Sequence, residues 1–234
     1  MSSSGEDPRL WVLYVAVVAI AAASASRSWS GSAAHSTIRS FWWRPPVAAT
    51  VLWSVVAAMS LARLIFPDLL DVFRRQPVRT RDVGEWWRIL TAGLVEDGGV
   101  LLTVVNLALF AVVALAIVRV WGWYRALGLV VAGQVLWGLF TTFVFPSDGA
   151  GTTGATLASA ATLAGLWPVV GAPRSLLLAA ATTFVLGVLL VLAGDAHGVA
   201  ILIGMLLGAV LATVLPPPHP ARASMSAMRG DVHT

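Results

Sequence analysis

Several polar residues interrupt long apolar runs, and their types could do chemistry. His197 opens an apolar run two residues after Asp195. An imidazole titrates near neutrality and can act as a general base. In the plainer reading it is an interfacial histidine without chemistry. Gly151-Thr152-Thr153-Gly154 opens another run. Hydroxyls at a helix start cap free amides, and those amides, with the helix dipole, can hold an anion. The functional reading makes one threonine a nucleophile activated by His197. The plainer reading, N-capping, is the commoner use of such residues. Asn106 and Gln134 lie within two further runs. Each can bond across helices, worth about 0.6–2 kcal/mol, and for Gln134 that is the whole expectation. Asn106 lies about one and a half turns from the end of its run, on the same side as Thr153. Arg63, near the end of an earlier run, is expected to snorkel as an anchor. Polar groups inside a membrane are expensive, so each is a site candidate.

The elements that position these residues must be membrane helices. The chain has 234 residues, of which 58% are hydrophobic and 11% charged. A soluble domain carries about 25% charge, so a water-soluble globule and a disordered chain are both excluded. The net charge is +4 and the pI about 10.9. All 15 basic residues are Arg, scattered singly or in pairs. They form no basic face, which argues against nucleic acid as a partner. Without Cys there is no disulfide, thiolate or Cys-type zinc chemistry. Without Lys there is no phosphate-binding glycine loop of the usual kind. The four histidines, His35, His197, His219 and His233, are too dispersed for a metal site. No His-Glu-x-x-His motif and no paired intramembrane carboxylates are present. Nothing calls for a cofactor.

A helix needs about 20 apolar residues to cross a bilayer, with about 17–25 tolerated. Seven segments meet or approach that length: Leu10–Ser26, Val47–Phe66, Leu101–Val118, Tyr124–Phe145, Gly151–Val170, Ser175–Ala193 and Val199–Leu215. The expected fold is all-α, a polytopic membrane helical bundle. Arg27, Arg39, Arg44, Arg119, Arg125, Arg174, Arg222 and Arg229 fall on one alternate set of connections. Asp148 and Asp195 fall on the other. By the positive-inside rule the N-terminus is outside the cell membrane and the C-terminus is cytoplasmic. Ala23-Ser24-Ala25 offers a rival reading of the first span, as a cleaved signal peptide. Glu6 and Asp7 beside Arg9 favour a retained span.

Residues 1–46 then form an N-terminal transmembrane helix with an Arg-bearing cytoplasmic loop. Residues 47–215 form the membrane core, and residues 216–234 a tail expected to be disordered. The long outer segment Pro67–Val100 contains Trp86, Trp87, Leu90, Leu94 and Val95. It is expected to lie in the outer headgroup layer, partly helical, because Trp favours that interface. Gly154 and Ala158, then Ala200, Gly204 and Gly208, repeat at fourth positions. Small-xxx-small faces let helices pack closely. If these two faces meet, Thr153 and His197 lie near the same end.

The order of these features resembles the rhomboid family of intramembrane serine proteases. The resemblance rests on Trp87-Arg88 in a long outer loop, Asn106 on the next span, Gly151-Thr152-Thr153-Gly154, and Ala196-His197 followed by Gly204. It covers roughly Val47 to Leu215, a six-helix core, to which Leu10–Ser26 adds one helix at the N-terminal side. It implies a Ser–His dyad acting on a client transmembrane segment that enters laterally from the bilayer. It also implies an oxyanion held by the backbone amide at the nucleophile and by a His and an Asn on the second core helix. Carried over, Thr153 stands at the nucleophile, His197 at the base and Asn106 at the oxyanion.

The departures concern chemistry more than packing. Thr153 replaces serine, and its β-methyl restricts χ1. Leu102 stands where the oxyanion His belongs, and losing one such donor costs about 100–1000-fold in rate. Leu157 replaces an aromatic, and Ala200 replaces a glycine but stays small. The reading that follows is a pseudoprotease that binds transmembrane helices of client membrane proteins without cutting them. An active protease with Thr153 as nucleophile and an assembly subunit of a larger membrane complex are the alternatives. A transporter fits less well, because its polar groups would sit near the midplane, often in repeated halves.

Overall fold

The computed structural model describes residues 8–29 and 41–217. The expectations placed on His35, Arg39, His219, His233 and the tail from residue 218 onward lie outside them. Lipid offers no partner to an exposed backbone amide, so apolar runs of this length resolve as helices. The long helices are α1 (Pro8–Trp29), α2 (Val47–Ile65), α5 (Val100–Trp121), α6 (Trp123–Leu139), α7 (Thr153–Val169), α8 (Arg174–Leu192) and α9 (His197–Val214). Two short helices, α3 (Asp68–Phe73) and α4 (Arg88–Thr91), lie between α2 and α5. The only β pairing among the described residues is one bridge between Arg75 and Gly149. The molecule is an all-α polytopic bundle.

Among the described residues, six helices are long and apolar enough to cross a membrane: α1, α2, α5, α6 with its extension to Val144, α8 and α9. The seventh expected span, α7, has only 17 residues, about 25 Å of helix. Every residue of α7 from 154 to 167 is buried. It is the central post, contacting α1, α5, α6, α8 and α9. A helix shielded on all sides by protein need not match the lipid, which explains why α7 carries hydroxyls. Thr162, for instance, donates to Ser159 O (2.7 Å) and accepts from Trp121 Nε1 (3.1 Å).

The closest crossing is between α7 and α9. A Cβ on Gly204 would sit 2.0 Å from Ala158 O, and one on Gly208 2.0 Å from Thr162 O. The backbones therefore touch where the small residues repeat. Gly154 departs from that expectation. Its Cα faces the Trp137 indole of α6, and an added Cβ would lie 2.3 Å from Trp137 Nε1. At the periphery, α2 packs against α5 and α3 and touches little else.

The segment 67–99 is folded as well as partly helical. Buried Arg88 donates to Asp71 O (2.7 Å), Arg74 O (2.8 Å) and the Glu85 carboxylate. It thereby satisfies carbonyls at the end of α3 that the short helix leaves open. Trp86 and Trp87 are half exposed. Arg63 reaches from α2 to Asp97 O and Gly98 O (3.2 Å each), so the anchor is a hydrogen-bonded one. Gln134 also ties down this segment: its Nε2 donates to Ile89 O (2.9 Å) of α4 and not to a neighbouring long helix.

Candidate functional site

The first turns of α5, α7 and α9 lie at one end of the bundle, and the start of α1 reaches the same place. Two polar clusters form there. The first surrounds Glu96, four residues before α5, which is 1% exposed. Its Oε1 accepts the backbone N–H of Thr152 (2.8 Å) and the Thr152 hydroxyl. Its Oε2 accepts Asn106 Nδ2 (2.5 Å). Asn106 Oδ1 in turn accepts the Thr153 hydroxyl (3.3 Å). Neither threonine side chain caps α7; the Glu96 carboxylate takes that place, where the amides and the helix dipole favour negative charge.

Burial pushes the Glu96 carboxyl above its usual range, against the hydrogen bonds from Thr152 and Asn106 that hold it down. Backbone geometry makes room for it. Gly151 has φ +141°, open to glycine alone, and a Cβ there would lie 3.0 Å from Glu96 Oε2.

The second cluster surrounds Asp195, in the turn between α8 and α9, also 1% exposed. Its Oδ1 accepts the backbone N–H of His197 (2.9 Å) and pairs with His197 Nδ1 (2.8 Å). Its Oδ2 accepts the Tyr14 hydroxyl from α1. The Tyr14 oxygen also lies 3.0 Å from His197 Nδ1. Burial alone would raise the Asp195 carboxyl, but hydrogen bonds and charge from His197, with the Tyr14 bond, hold it below the ordinary range.

Trp137 lies between the clusters. Its indole stacks on His197 (centroids 4.9 Å apart, 27° between planes), and it packs against Ala158 and Ala200. The Arg75 guanidinium lies 5.8 Å above the same ring. Arg75 also donates to Ser147 O (3.1 Å) and Ser147 Oγ (3.3 Å). Burial lowers its pKa to about 10, against the charges of Asp97 and Asp148.

Of the three residues expected to act together, Thr153 and Asn106 are hydrogen-bonded to each other, and His197 Nδ1 is bonded elsewhere. Among the described residues no hydrogen bond joins Thr153 to His197, whose Nδ1 faces Asp195 and Tyr14. Position 157 carries a buried leucine, while Trp137 supplies the ring on the histidine. Leu102 lies against Gly98, where an added Cβ would be 2.8 Å from Leu102 Cβ.

Sequence reasoning passed over Glu96, Tyr14 and Trp137 and took Asp195 only as a loop charge. The Asp195-x-His197 spacing was the available signal for one cluster. An acid four residues before a span was the signal for the other. Among the described residues no three His, Asp or Glu side chains converge as metal ligands. No protein-family model matches the chain, and no curated protein matches it.

Proposed function

We propose that this chain is a rhomboid-like, non-proteolytic protein of the cell membrane that binds transmembrane segments of client proteins. In this reading its N-terminus is outside and its C-terminus cytoplasmic. One observation carries it: Asn106 Nδ2 is bonded to the Glu96 carboxylate while the Thr153 hydroxyl is bonded to Asn106. A hydroxyl nucleophile needs a base within hydrogen-bond reach, and Thr153 has an amide oxygen instead. An oxyanion hole needs free donors aimed at developing negative charge. Here the donor of Asn106 already serves Glu96 Oε2 and is not free for an oxyanion. The close α7–α9 contact at Gly204 and Gly208, by contrast, supports a role in helix packing over one in chemistry.

The test is proteolysis in liposomes with labelled, photoreactive transmembrane peptides. The native chain, Thr153→Ala, Thr153→Ser and His197→Ala are compared. The expected result is photo-capture of peptides without cleavage by any of the four. Cleavage by the native chain that disappears in both alanine variants would establish the threonine-protease alternative. A fixed stoichiometric partner in place of peptide capture would establish the assembly-subunit alternative.

A further inference from the structure

The surface that receives a foreign helix can be sought in how the bundle holds its own first one. Helix α1 packs against α5, α7 and α8, while α5 and α8 share almost no contact of their own. It therefore fills a slot between them, in front of α7. The face it turns inward is built mostly of small side chains: Val17, Val18, Ala21, Ser24 and Ala25 are buried, with Tyr14 above them. Removing α1 would open α7, whose Thr156, Ser159 and Thr162 are all buried.

Two observations distinguish α1 from a fixed strut. At the Tyr14 end it is held by the hydroxyl bond to buried Asp195. Towards its other end it parts from α8, leaving a crevice of about 330 Å³ lined by Ile20, Ser24, Arg27, Leu176 and Ala179. A helix that leaves such a slot enters lipid as apolar as the slot itself, so what is lost is packing, the Tyr14 contacts with Asp195 and His197, and the Trp42 Nε1 bond to Ser26 Oγ (3.1 Å). Asp195 cannot be left without its donor at low cost.

We infer that the slot between α5 and α8 is a helix-binding site in which α1 is an exchangeable resident. Its incoming ligand is a single transmembrane helix of like chemistry: small residues one turn apart on one face, and a hydroxyl donor at the depth of Tyr14 to satisfy Asp195. The inference rests on the reading of the chain as a binder of transmembrane helices, and it names the place and the chemistry of that binding.

The test uses the full chain in liposomes. The probe is a photoreactive synthetic peptide copying Pro8–Trp29, with a second copy carrying Tyr14→Phe. The native sequence has no cysteine, so Ser24→Cys with Ala179→Cys introduces a unique pair. A reducible bis-methanethiosulfonate linker across the crevice then pins α1 in place. The linked chain is expected to lose peptide capture and to regain it on reduction. Tyr14→Phe in the chain should raise capture of the tyrosine peptide about three- to twenty-fold, the range one transmembrane hydrogen bond supports. The Tyr14→Phe peptide should gain no such advantage.

Equal capture by linked and reduced chains, or by both peptides, would overturn the slot and leave client binding elsewhere intact. Cleavage of a captured peptide would end the non-proteolytic reading and leave the slot standing. Absence of capture by every form overturns the slot as well.

Discussion

Tyr14 on the first helix donates its hydroxyl to Asp195 in the turn before the last helix, 181 residues away in sequence. Both side chains are 1% exposed, so this bond closes the bundle where no water competes. Removing it leaves a buried carboxylate oxygen without its donor. Tyr14→Phe should therefore lower stability by about 1–3 kcal/mol. Reversible unfolding of the detergent-solubilised chain would measure it. An unchanged midpoint would mean that α1 contributes no polar link to the fold.

The α7–α9 crossing leaves no room for a methyl group. At Gly204 and Gly208 an added Cβ would meet backbone oxygen, which cannot rotate away. Gly204→Ala and Gly208→Ala should each destabilise by about 1–3 kcal/mol or more, as overpacking does. Ala200→Gly, at a position already occupied by a buried methyl, removes packing and should cost less. Thermal midpoints of the three variants in one detergent give the ranking.

Arg88 organises the segment between α2 and α5 through two carbonyls and Glu85. Arg88→Lys keeps the charge and loses the fork that reaches several partners at once. Limited proteolysis should then cut between residues 68 and 88 sooner than in the native chain. Equal cutting rates would assign the order of this segment to Gln134 and Arg75 instead.

The two buried acids predict opposite pH slopes. The Asp195 carboxyl is held below its ordinary range. Its stabilising contribution is present above the unfolded-state pKa and is lost as pH falls through the lower folded value, so it fades below about pH 4. The Glu96 carboxyl is held above its ordinary range by burial. The folded state then binds the proton more tightly, and stability declines as pH rises from the unfolded value through the folded one. Thermal midpoints scanned from pH 3 to 8, about the window these carboxyls span, should flatten at the acid end in Asp195→Asn. They should flatten above the ordinary glutamate range in Glu96→Gln.

Much of this architecture is legible in the residue order. The apolar runs mark the helices to within a few residues, because in lipid each run must satisfy its own backbone. The fourth-position repeat of small residues marks the α7–α9 contact, because only small side chains allow that approach. The two threonines are less legible. Local chemistry reads them as caps, yet Thr152 donates to Glu96 and Thr153 to Asn106. A carboxylate 56 residues away from Thr152 has taken the capping position, and nothing in the tetrapeptide signals that.

By itself, then, the sequence determined the all-helical class of the protein and which apolar runs carry its polar residues. Composition and period act locally, and a bilayer leaves them few outcomes. The tertiary structure alone decided the partners. It paired Asn106 with Glu96, gave His197 to Asp195 and Tyr14, and placed the Trp137 indole between them. Those choices depend on how seven long helices turn about their axes when packed. An apolar helix presents similar chemistry on most of its faces, so its rotation is fixed by the shapes it meets and by the few polar bonds it makes, such as Tyr14 to Asp195 and Trp121 to Thr162.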